Sequence, residues 1–147
     1  MRTTVRVELP GGRHVALRAI GDEDDAFILD TAGTVLPGAR ATALVARCLV
    51  EGDATANALT VGDREALLLH LRRASLGEAM DCILRCPVDS CGELLECQLQ
   101  VSDLLLPRRD DPQAAAQTDT VNIEAGGARY RVSFRAPTAA DVDHAAA

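Results

Sequence analysis

The sequence has no lysine and no tryptophan, and its 147 residues hold three aromatics, Phe27, Tyr130 and Phe134. So few aromatics argue against a base-stacking platform for single-stranded nucleic acid. With lysine missing, every cation is an arginine. We read that as GC-rich codon usage rather than arginine chemistry. The net charge is −7, and no part of the chain is basic: residues 1–60, 61–106 and 107–147 carry −2, −4 and −1. Phosphate-directed nucleic-acid binding needs the opposite balance. No apolar run approaches the roughly 18–20 residues of a membrane span. Met1-Arg2-Thr3-Thr4-Val5 opens no apolar signal segment, so a cytoplasmic location is expected. There is no Gly-rich phosphate loop, nucleophile elbow, paired-histidine metal motif or Cys-x-x-Cys. His14, His70 and His144 are scattered. We therefore expect no enzyme and no small-molecule substrate.

A hydrophobic content of 48% excludes a wholly disordered chain, and the length suffices for a core without staples. Thr3, Val5, Val7 and Leu9 alternate with Arg6 and Glu8, a half-buried strand. Pro10-Gly11-Gly12 turns the chain. Val15, Leu17 and Ala19 return on one parity, leaving His14, Ala16 and Arg18 to the outer face. The acidic run Asp22–Asp25 suits a solvated helix N-terminus, where the dipole favours carboxylates; that helix ends at Gly33. Pro37-Gly38 opens a second helix, Ala39 to Val50, with Cys48 in its core face. Thr60 and Asp63 resemble a capping box for a third helix, 61–75. On it Leu67, Leu71 and Ala74 share one sector, with Leu68 on the flank and Leu69 among charges. His70 borders that sector as a structural histidine.

Strands are expected over Asp81–Arg85 and Leu94–Val101, around a turn at 86–92. Residues 107–120 read as a polar linker. Val121, Ile123 and Ala125, then Gly126-Gly127, then Tyr130, Val132 and Phe134 form another hairpin, its outer face lined by Arg129, Arg131 and Arg135. Thr138 and Asp141 cap a last helix of about nine residues, too short to be stable unless it docks. The fold class is α+β: an N-terminal β-hairpin, a three-helix segment, a β-hairpin with a zinc-knuckle-like turn, a C-terminal β-hairpin and a short helix. We expect a core over 1–106, the linker 107–120 and a C-terminal unit 121–147, packed as one compact domain.

Five cysteines, an odd number, with no secretion signal point to thiols or metal ligands rather than a disulfide framework. Cys86-Pro87-Val88-Asp89-Ser90-Cys91-Gly92 resembles a zinc knuckle. Structural zinc needs two further ligands, for which Cys82 and Cys97 are the candidates. If Cys86 faces Cys91, position 82 faces 95. Cys82 then sits near Cys97 but about 13 Å along the strand from the knuckle. The alternative is a remnant knuckle of ordinary thiols.

The stretch Leu59-Thr60-Val61-Gly62-Asp63-Arg64-Glu65-Ala66-Leu67-Leu68-Leu69, then Leu71-Arg72-Arg73, Gly77, Cys86-Pro87 and Cys91-Gly92, resembles a known family. It is similar to the T-even-type baseplate hub assembly chaperones and baseplate proteins of contractile phage tails and phage-tail-like injection systems. The acidic helix at 22–29 and Arg131–Asp141 fit as well, so the resemblance spans roughly 15–141. It implies a non-enzymatic assembly factor that binds hub or spike proteins of a baseplate. The alternatives are a structural baseplate subunit retained in the particle and a small zinc-knuckle protein-binding module. For the contact we expect Leu67, Leu68, Leu69 and Leu71 first, and the Arg129/Arg131/Arg135 face second.

Overall fold

A computed structural model describes residues 4–51, 55–108 and 117–146. The chain is α+β, and its described residues form five α-helices and seven strands in three small sheets. Strand β1 (Thr4–Glu8) pairs antiparallel with β2 (His14–Arg18). The turn between them needs small residues. A Cβ on Gly11 would lie 2.6 Å from the Asp63 carboxylate, which accepts a 2.8 Å bond from the Gly11 N–H. Val7, Val15 and Leu17 face the core as their alternation predicts.

Ala16 was expected outside, yet it is 2% exposed. The reason is a third strand. β3 (Leu49–Glu51) pairs with β2, so Ala16 lies between Arg6 on one neighbour and Glu51 on the other. Residues opposite each other share a face, and the Arg6–Glu51 ion pair of 3.1 Å spans the small methyl. β3 also corrects the expected end of the second helix: α2 (Pro37–Cys48) stops before Leu49 and Val50, which are extended. Proline at its first turn has no N–H to leave unpaired.

Helix α1 (Asp22–Asp30) and helix α3 (Val61–Leu76) complete the expected three-helix segment. At α3 the Thr60 hydroxyl accepts from the Asp63 N–H. The box is only half made, because the Asp63 side chain turns to Gly11 instead. Leu9, Leu17, Val45, Cys48, Leu59, Leu67 and Leu71 form the centre of the core, each 2% exposed or less. Burial of this kind stabilises by about 25 cal/mol per Å² of apolar surface.

Strands β4 (Ala79–Arg85) and β5 (Leu94–Gln100) form a separate hairpin. Val101, expected at the end of β5, instead starts the single turn α4 (Val101–Leu104) and is fully buried. Glu78 accepts from the Ser102 N–H at its start, which holds that carboxyl below its ordinary range. Of the expected linker, residues 109–116 lie outside the described residues. β6 (Asp119–Ala125) and β7 (Ala128–Phe134) pair through Gly126 and Gly127, both at positive φ (60° and 79°). Two such residues make the tight turn whose twist matches its strands.

The last helix, α5 (Ala139–Ala145), docks as required. Its cap is complete: the Thr138 hydroxyl accepts from the Asp141 N–H, and the Asp141 carboxylate accepts from the Thr138 N–H. The Pro137 carbonyl accepts from the Val61 N–H and the Leu59 carbonyl from the Ala139 N–H, and Ala139 is fully buried. The helix packs on α2 and α3.

Candidate partner-binding site

The polar centre of the body was missed by sequence reasoning. Asp24 is fully buried rather than solvated. Its carboxylate accepts from both Arg18 terminal nitrogens at 2.5 and 3.1 Å, from Arg47 Nε at 2.9 Å and from the Gly21 N–H at 3.0 Å. Arg47 also covers the Phe27 ring, 5.1 Å from its centroid. The Arg18 guanidinium, then the Gly21 N–H and Arg47, hold the Asp24 carboxyl far below the usual carboxylate range despite its burial. Arg18 is raised in turn. Such a charge-assisted, partly bidentate knot ties β2, α1 and α2 together. It is structural: no carboxylate lone pair is aimed at open space. The only hint in the sequence is an acid three residues after Gly21, with one arginine six positions before it and another 23 positions after it, and no periodicity links them.

The helix expected to meet a partner turns inward. Leu67 and Leu71 are 1% and 2% exposed, so as partner contacts they are corrected to core residues. Leu68 and Leu69 are half-buried; Leu68 packs against the same cluster. His70 is buried beside Arg73, with Nδ1 3.0 Å from that guanidinium. Burial and then the Arg73 charge lower its pKa.

The expected arginine face exists, but two of its members are engaged. Arg129 Nε donates to Glu124 at 2.7 Å. Arg135 donates to both Asp141 oxygens at 2.6 and 2.9 Å, and that pairing, with the Thr138 donors, lowers the Asp141 pKa. Arg131 stands opposite Asn122.

The opposite face of this hairpin carries the unexpected feature. Alternation predicts that Val121, Ile123, Tyr130, Val132 and Phe134 pack inward, yet they are 43%, 45%, 51%, 39% and 48% exposed. Every residue of β6 and β7 is exposed on both faces. The register places Val121 against Val132 and Ile123 against Tyr130, so these side chains form one apolar strip. Two of the three aromatics in the chain stand on it. The β4–β5 hairpin is built the same way. Met80, Leu84, Leu95 and Leu99 share a face with Cys82 and Cys97, and Leu84 and Leu95 are half exposed. A two-stranded hairpin alone is marginal in water, and contiguous apolar surface of this kind marks an interaction site.

The cysteines do not assemble as a knuckle would require. The register puts Cys82 directly opposite Cys97, two positions from the expected pairing, and Cys86 N–H bonds Glu93 O rather than facing Cys91. The Cys82/Cys97 pair is four residues along the strand from Cys86, about 13 Å. Four thiolates 2.3 Å from one ion do not fit that spacing. Among the described residues no group of three or more His, Cys, Asp or Glu is placed to hold a metal.

Among the described residues, no helix is long and apolar enough to cross a membrane. A family model described as T4 bacteriophage base plate protein matches residues 1–146. No curated protein and no solved structure matches the chain.

Proposed function

The chain belongs to the T4 bacteriophage base plate protein family, and from that premise we propose that it is an assembly factor for the baseplate hub. Membership supports a phage baseplate role, among other baseplate proteins. In the proposed role it works in the cytoplasm of the producing cell, without catalysis. It binds a hub or spike component, covers an apolar interface before assembly, and then leaves.

One observation carries this reading: the exposed strip of Val121, Ile123, Tyr130, Val132 and Phe134 on a hairpin with no core of its own. Aromatic side chains in such a strip are the usual anchors of a protein interface. The net charge of −7 keeps a protein carrying that strip soluble and disfavours wrong contacts. Arg131 and the half-buried Leu68 and Leu69 lie outside the strip, and in this reading they are secondary contacts.

Quantitative mass spectrometry of producing cells and of purified particles tests the proposal. The chain should accompany hub or spike protein in the cells and be depleted from finished particles. Stoichiometric presence in the particle overturns the transient role and makes the chain a retained subunit.

A further inference from the structure

We propose that Cys82 and Cys97 are a reversible thiol–disulfide pair that locks the β4–β5 hairpin. The inference is independent of the assembly-factor reading. It rests on register. The two residues are direct cross-strand partners, both are half-buried, and both are free thiols. The Val101 N–H donates to Glu78 O at one end of the hairpin, and the Cys86 N–H donates to Glu93 O at the other. Hydrogen-bonded pairs alternate along an antiparallel ladder. Counting inward from either end makes Cys82–Cys97 a hydrogen-bonded pair, with Cα atoms about 5.5 Å apart. That lies within the ~4.4–6.8 Å that a disulfide spans.

The Cβ atoms of such a pair start near the upper end of the ~4.5–5.5 Å cross-strand range, and a disulfide wants about 3.8 Å. Closing it therefore draws the strands together. Among the described residues no third strand joins β4 and β5 to resist, so the bond can form, and its strain makes it easy to reduce. The reaction needs a low-molecular-weight disulfide as oxidant. One thiolate attacks that disulfide, forming a mixed disulfide and releasing one small thiol. The second thiolate attacks the protein sulfur; the Cys82–Cys97 bond forms, and the second small thiol leaves. The two protein thiol protons end on the two released thiols. The product fixes the centre of the strip formed by Met80, Leu84, Leu95 and Leu99, holding its register in a hairpin that is otherwise marginal.

The test is to reduce the full chain, remove the reductant, add oxidised glutathione, and map the product by mass spectrometry. We expect a mass lower by two hydrogens and a peptide joining Cys82 to Cys97. Amide exchange over 79–100 should slow on the order of tenfold or more, with 119–134 unchanged. C82S and C97S should each abolish the link. The double variant C86S/C91S, which removes the competing turn thiols, should keep it. A Cys86–Cys91 link in its place, a persistent glutathione adduct, or continued alkylation of Cys82 and Cys97 in the C86S/C91S protein overturns the proposal.

Discussion

The first and last hairpins of the chain are written in the same pattern and meet opposite fates. β1–β2 and β6–β7 both alternate apolar and polar residues around glycine turns. In the first, Val7, Val15 and Leu17 are 7%, 3% and 1% exposed; in the last, Val121, Ile123, Tyr130, Val132 and Phe134 are each 39% exposed or more. The difference lies in what the rest of the chain supplies. β1–β2 receives a third strand, and its apolar face joins Val45, Leu67 and Leu71 in the core. Among the described residues, β6–β7 receives no third strand. Alternation thus specifies that a face will be covered, not by which molecule. A baseplate partner is the cover we propose for the last hairpin.

The sharpest way to break the comparison is to unlock the body. Asp24→Ala leaves Arg18 and Arg47 without their shared acceptor. Removing one member of a buried ion pair costs about 3–5 kcal/mol, with the lower end expected because Arg47 is partly exposed. Urea unfolding should show the loss. Leu17→Ala in β2 should follow at about 3 kcal/mol, whereas Val132→Ala in β7 should stay within about 0.5 kcal/mol. Equal effects would erase the distinction between the hairpins. Phe134→Ser should likewise leave the midpoint of unfolding nearly unmoved while weakening the proposed binding to a hub or spike protein by about 2 kcal/mol, read by titration calorimetry.

Two pH effects refine the contrast. The Asp24 carboxyl is depressed by its arginines from an ordinary 3.8, so the unfolded chain takes up its proton first. Its contribution is therefore complete above about pH 5 and falls as the pH drops through 4 and below. The difference in stability between the natural protein and Asp24→Asn should shrink across that window. His70 is lowered from 6.5, so the unfolded state again binds the proton more readily. Its contribution is present above that value and declines as the pH falls through it. Unfolding of His70→Gln between pH 7.5 and 5.5 should lack that component.

Much of this was legible in the sequence because local chemistry decides it. The hairpin turns, the Thr60 and Thr138 caps and the core sector of α3 follow from residue types at fixed offsets. The Asp24 knot was not legible, because Arg18 and Arg47 reach it from other elements and an acidic run ordinarily marks a solvated helix start. Ala16 was misplaced because a three-residue strand, Leu49–Glu51, is too short to carry a period. The Cys82–Cys97 register was missed by two positions, since the turn length at 86–93 is set by backbone bonds and not by where the cysteines lie. The candidate site was the least legible. Leu67 and Leu71 read equally well as core or contact, and only the surrounding fold assigns them to the core.

Amide hydrogen exchange of the chain, alone and mixed with the hub or spike protein proposed as its partner, tests the central claim most directly. Protection should appear over 119–134 and leave the already buried face of α3 unchanged. Protection confined to 61–76, with the β6–β7 hairpin exchanging as fast as in the free chain, would contradict the account.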